Sequence, residues 1–89
     1  MGFSLAHTVL EVGESSQQHR LKNSTEVYFI LELEAIMQID NETGSLKKGQ
    51  VVYIPPGSRQ RIENKEETDL KFLCVVSPAW DAEDDDLCP

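Results

Sequence analysis

Few side chains in this sequence can do chemistry, and those that can are widely spaced. Histidine occurs only at His7 and His19, and cysteine only at Cys74 and Cys88. His19 and Leu21 are two residues apart, so on an extended chain both point to one side. Gln60 and Ile62 share a side in the same way, opposite to Arg59 and Arg61. An imidazole such as His19 can bind a metal or carry a proton near neutral pH. A carboxyl group such as that of Glu26 becomes proton-active when a dry site raises its pKa. Gln60 offers a neutral amide for water or for a ligand hydroxyl. Arg59 and Arg61 could grip an anion, but their parity faces them outward, where an ion pair with Glu63, for instance, contributes little. His7 has no pattern behind it. No Ser/His/Asp or Cys/His arrangement and no phosphate-cradling glycine loop is present. Cys74 lies in an apolar run, and Cys88 lies next to the C-terminus beyond an acidic stretch. Their spacing signals neither a metal site nor a disulfide, so unreactive thiols are expected.

The elements that must position these groups read as short strands between turns. Phe3 to Val12 mixes apolar and polar residues as a first strand, which Gly13 to Ser16 break. The strongest signal runs from Glu26 to Asp40. Val27, Phe29, Leu31, Leu33, Ala35, Met37 and Ile39 hold one parity, which is the period of a strand. Tyr28 and Ile30 make the other parity apolar as well, so the strand must be covered on both faces. One face suits a barrel interior, and the other calls for a second sheet or a partner chain. Glu, Leu, Ala and Met also favour helix here, but the period of two and the flanking turns decide for strand. Asn41 to Gly44 should close a hairpin into Ser45 to Lys48, and Lys47 to Gln50 a second turn. Val51 to Ile54 reads as a short buried strand. Pro55-Pro56-Gly57 cannot continue a central strand. Arg59 to Asn64 alternates again, Glu63 to Thr68 is a polar turn, and Leu70 to Val76 is a last buried strand that Pro78 ends. Five of the six residues from Asp81 to Asp86 are acidic, which reads as a solvated tail.

Many short strands with evenly spaced turns suggest a sandwich or jelly roll. Within that frame, two stretches resemble the paired motifs of the cupin superfamily. Gly13, His19, Leu21, Glu26 and Leu33 fall at the first motif's positions, and Gly49, Pro55, Gly57, Gln60 and Asn64 at the second's. The resemblance spans residues 13 to 64. Phe72 to Val76, with Pro78-Ala79-Trp80, also looks like a group of small, mostly uncharacterised cupins. It implies an all-β, double-stranded β-helix barrel over residues 1–80, with 81–89 as the acidic tail. In metal-binding cupins four side chains, usually three His and one Glu, converge inside the barrel. Carried over, that implies a metal set of His19, Glu26 and Gln60, with Leu21 standing where a second His would be. Leu offers no ligand and Gln a weak one, so affinity for Zn, Mn, Fe or Ni should fall. Leu21, Tyr28, Ile62 and Trp80 are the expected pocket lining. Gly49 and Gly57 suit turns with positive φ. Leu33 stands where the family usually has Gly, so the backbone there is expected to run straight.

Composition narrows the class of partner. Eighty-nine residues make one domain, marginal alone, and pairing into a homodimer would relieve that. A formal charge of −8 disfavours nucleic acid and anionic membranes. With no charged-then-apolar leader and no long apolar run, a cytoplasmic location is expected. Few residues precede Gly13, so an edge strand of longer relatives is expected to be missing. Two functions follow from the resemblance. One is a barrel binding a polar small molecule or a weakly held divalent ion. The other is a metal-dependent enzyme of sugar-isomerase or dioxygenase type, which the substitutions at Leu21 and Gln60 disfavour.

Overall fold

The computed structural model describes residues 2–87. Two antiparallel sheets face one another. β1 (Ser4–Leu10), β8 (Leu70–Ser77), β3 (Thr25–Glu32) and β6 (Val51–Ile54) form one, in that order. β5 (Glu42–Lys47), β4 (Glu34–Ile39), β7 (Gln60–Glu63), β2 (His19–Leu21) and β9 (Asp85–Leu87) form the other. Apart from the β4–β5 hairpin, consecutive strands alternate between the sheets, which is the jelly-roll winding of a double-stranded β-helix. Among the described residues no helix is long and apolar enough to cross a membrane.

The interior follows from strand alternation. Tyr28 and Ile30 from β3, Ala35 and Met37 from β4, Ile54 from β6, Ile62 from β7, and Leu70 and Phe72 from β8 make one buried cluster. The rings of Tyr28 and Phe72 pack with centroids 5.4 Å apart. Asn64 closes one end of this core. Its Nδ2 donates to the carbonyls of Leu10, Glu11 and Thr68, and its Oδ1 accepts from the Glu66 amide. A fully buried side chain with all its polar atoms occupied is a structural plug.

The run from Glu26 to Asp40 is two strands in different sheets, not one. The pairing of β3 with β8 slips between Ile30 and Glu32, and Leu33 then turns the chain with φ of 70°. The corner exchanges the inward parity. Glu26, Tyr28 and Ile30 are buried before it, and Ala35 and Met37 after it. Periodicity cannot show such a slip, because both parities of β3 are apolar and Leu33 carries the pattern across it. Leu33 therefore bends where a straight backbone was expected. The left-handed conformation costs a non-glycine residue about 1–2 kcal/mol. Packing of the Leu33 side chain against the core offsets this.

Three smaller expectations also change. The β4–β5 turn is tight, at residues 40 and 41, and β5 already starts at Glu42. Asp40 takes φ of 52° there while its carboxylate accepts from the Arg59 amide at 3.0 Å. β6 is not buried throughout, since Val51 and Tyr53 are exposed and only Ile54 is fully enclosed. Arg61 is exposed as expected, but Nη2 donates to the Ser15 hydroxyl rather than to Glu63.

The acidic stretch differs most. Residues 85–87 form β9 and pair with β2 in the register His19↔Leu87, Arg20↔Asp86, Leu21↔Asp85. The physical reason is charge. β2 and its flank carry Arg20 and Lys22, and the stretch answers with acids. Arg20 meets Asp86 at 3.0 Å, and Lys22 donates to the Glu83 carbonyl. Asp84 accepts from the Asn23 and Ser24 amides. Desolvation pushes the Asp84 carboxyl up, but these bonds outweigh it and hold it below its ordinary value.

Candidate functional site

The polar groups of the interior gather where β2, β3, β7 and β9 come together. Gln60 is brought opposite His19 by the β2–β7 pairing. β3 sets Glu26 beside Ile54 on one side and Val76 on the other. β8 brings Cys74 next to Tyr28 in the following row. β9 adds Asp85, which the composition of its stretch assigns to a solvated tail. A basic strand at His19–Lys22 and an acidic run with no other partner were the signal that could have found it.

Each group has a defined environment. The Tyr28 hydroxyl donates to Gln60 Oε1 at 2.6 Å. His19 Nδ1 lies 3.0 Å from Asp85 Oδ1, and the Trp80 indole N–H donates to Asp85 Oδ2 at 3.1 Å. Glu26 is only 6% exposed, and its Oε1 is buried without a hydrogen-bond partner. Burial raises the Glu26 pKa. His19, Gln60 and Cys74 oppose the rise less strongly, and Asp85 adds to it. Burial, with the nearby Glu26 second, holds Tyr28 well above its ordinary value. The same two causes push the Cys74 thiol up to about 12, so it stays a protonated, unreactive thiol at neutral pH. Cys74 is free, and Cys88 lies outside the described residues.

The expected site residues separate into three groups. His19, Glu26 and Gln60 come together at this polar end. Leu21, Tyr28 and Ile62 are buried, and the rings and chains of Tyr28 and Ile62 belong to the packed core. Trp80 is 52% exposed, so it stands at the rim over Asp85 rather than lining a closed cavity.

The donor set falls short of a full metal centre. Among the described residues no three His, Cys, Asp or Glu side chains stand together to hold an ion. Leu21 adds no donor, and Gln60 Oε1 is already engaged by the Tyr28 hydroxyl. Glu26 is a buried carboxyl whose pKa is raised by burial, and the imidazole nearby is oriented by Asp85.

Known proteins carry the same arrangement of strands. The model of the cupin domain matches residues 6–76. An uncharacterised protein of Methanocaldococcus jannaschii is 39% identical over 84 residues, covering 94% of this chain and 67% of that protein. An oxalate-binding protein of Thermotoga maritima is 32% identical over 71 residues, covering 80% of this chain and 59% of that one. The crystal structure of a cupin 2 conserved barrel domain protein from Salinispora arenicola superposes with a TM-score of 0.78 at 28% identity, covering 93% of this chain and 66% of that one. This chain spans between half and about two thirds of the length of the curated relatives it matches. With both motif segments inside the matched stretch and the double-stranded β-helix around them, the chain belongs to the cupin family.

Proposed function

We propose that the protein binds a small, oxygen-rich polar molecule at the polar end of its barrel, through Glu26 and His19, with little catalysis of its own. The observation that carries this reading is the unpartnered Oε1 of Glu26. A buried polar atom left without a partner costs about 1–3 kcal/mol. A ligand that supplies the missing partner recovers it. With its pKa raised, Glu26 can donate to a ligand oxygen or accept from a ligand hydroxyl. The relative described as an oxalate-binding protein supports a small acid as the first ligand to test.

Titration calorimetry with oxalate, and with a panel of small hydroxy acids and polyols, tests the proposal. The expected result is saturable binding by the wild type that weakens at least about tenfold in Glu26→Ala, the loss of one buried hydrogen bond to a charged or acidic group. Equal binding by both proteins, or none across the panel, overturns it.

One observation favours a second reading. With Nδ1 of His19 held by the Asp85 carboxylate, Nε2 is left as the free ligating atom, the arrangement typical of metal-bound histidines. A weakly held divalent ion, and with it a metal-dependent activity of sugar-isomerase or dioxygenase type, would use that nitrogen. Elemental analysis decides. Stoichiometric metal that disappears in His19→Ala would replace the first reading by the second.

A further inference from the structure

We propose that a groove on the outer side of the five-stranded sheet binds a small carboxylate through Arg61, at a place separate from the barrel interior. Ser15, Ser16, Gln17 and Gln18 from the segment before β2, Arg61 from β7 and Leu87 from β9 line a cavity of about 420 Å³. A slip in pairing builds it. His19 stands opposite Gln60, and Ser15 bridges to Glu63. Three steps separate Gln60 from Glu63, whereas four separate Ser15 from His19, so the segment before β2 carries one residue more than the strand it faces. An extra residue pushes the chain off the ladder and re-aims its side chains. The groove lies at that bulge. Gln60 and Arg61 are neighbours on β7 that point to opposite faces, Gln60 buried within and Arg61 exposed outside. The groove therefore shares a strand with the polar end of the barrel but none of its side chains.

The groove presents donors. Arg61 is the one charged residue of the lining. Its Nη2 donates to the Ser15 hydroxyl at 3.1 Å, and no carboxylate among the described residues lies within ion-pair distance of it. Acids are plentiful, with sixteen acidic against eight basic residues in the chain. Even Glu63, two residues along on the same side, makes no ion pair with it. A guanidinium carries five N–H donors in a planar fork, so one bond leaves most of the fork open. The Ser15 oxygen accepts from Arg61, and the Ser16 oxygen accepts from the Ile62 amide at 3.0 Å. Each hydroxyl therefore still has its O–H to give.

This chemistry selects the ligand. A planar fork with hydroxyl donors beside it matches a carboxylate, which takes two parallel N–H···O bonds from an arginine. Charge favours a monoanion over a phosphate dianion. The lining offers one positive charge, and the rest of a chain at −8 repels each further negative one. Gln17 and Gln18 bring amides that can donate and accept, which suits hydroxyls next to the carboxylate. Leu87 adds an apolar wall for a short carbon chain. The ligand that fits is a short hydroxy monocarboxylate. Arg59 provides the contrast, since it is exposed on the same side of the chain but lies outside the groove.

Proton–nitrogen NMR of the whole chain, titrated with glycolate, tests the proposal. The Ser15 and Ser16 amides and the Arg61 Nε–H should shift together and saturate, with a dissociation constant on the order of 1 mM for a few charge-assisted bonds at an open site. Arg61→Gln should raise that constant at least about tenfold. Its side chain is exposed, so the far-ultraviolet circular dichroism should stay that of the wild type. Ser15→Ala removes one donor and the anchor of the fork, and should weaken binding about threefold or more. Arg59→Gln should leave binding unchanged. Inorganic phosphate and the uncharged ethylene glycol should each bind at least about tenfold more weakly than glycolate. Shifts read at Arg61, Ser15 and Ser16 report this groove and not the interior at Glu26, so either site can fail without the other. No saturation at these three residues by about 50 mM glycolate overturns the proposal. An equal loss in Arg59→Gln, or phosphate binding as well as glycolate, overturns it too.

Discussion

The two ends of the barrel interior are built from the same alternating strands, yet they are filled in opposite ways. At one end Ile30, Ala35, Met37, Leu70 and Phe72 interlock, and Asn64 closes the layer with every polar atom bonded. At the other end Glu26, Gln60, His19 and Asp85 share a small volume, and one buried carboxyl oxygen has no partner. The first arrangement is complete as it stands. The second lacks a partner for an atom that folding has already removed from water. The comparison teaches that stability and function are assigned to different rows of the same strands. On β8, Phe72 packs in the core, while two residues on Cys74 lies beside Tyr28 at the polar end, where burial and the nearby Glu26 push its thiol up.

Substitutions at the packed end should break the fold and leave no ligand effect to interpret. Phe72→Ala, in a site with almost no exposure, should lower the unfolding free energy by about 3–5 kcal/mol in denaturant titration. Asn64→Ala removes three part-buried bonds to the Leu10, Glu11 and Thr68 carbonyls and should cost about 1–3 kcal/mol in the same assay. A loss under 1 kcal/mol at either position would mean that this end is looser than described.

At the polar end the expected effects on stability are smaller and depend on pH. Glu26 has a folded pKa above its ordinary 4.5. Both folded and unfolded chains are protonated at low pH, so the residue brings no penalty there. As pH rises past the unfolded value, the unfolded chain ionises first, and stability falls until the folded pKa is passed. Glu26→Gln should flatten this decline and be at least as stable as the wild type at neutral pH. A decline of the same steepness in the variant would assign the titration to another group.

The smallest expected change is at the rim. Asp85→Asn weakens the contact to His19 and should cost about 1 kcal/mol or less, since the group is partly exposed and screened. Its sharper readout is optical. Trp80 is the sole tryptophan, and its indole bonds to Asp85, so the emission maximum should shift on substitution. An unchanged spectrum would detach Trp80 from this strand.

Much of this division was legible in the sequence, and its gaps have physical causes. The turn glycines Gly49 and Gly57 do take positive φ, and the parity of Gln60 and Ile62 against Arg59 and Arg61 describes β7 correctly. Both readings rest on local chemistry. The corner at Leu33 was not legible, because an apolar residue in a left-handed turn looks like one more strand position. β9 was hidden for the opposite reason. Six residues with five acids look solvated until a basic strand is known to lie beside them, and that neighbour is more than sixty residues away in the chain. Asp85 was lost with it. The contacts of Asn64, whose place in the motif was plain, needed the fold to show that they are structural.

Carbon-13 NMR of the Glu26 side-chain carboxyl, followed through a pH titration with and without oxalate, tests the central claim most directly. The free protein should show a midpoint above 4.5, and the added anion beside Glu26 should raise it further. A midpoint at or below the ordinary value, or one that oxalate does not move, would contradict it.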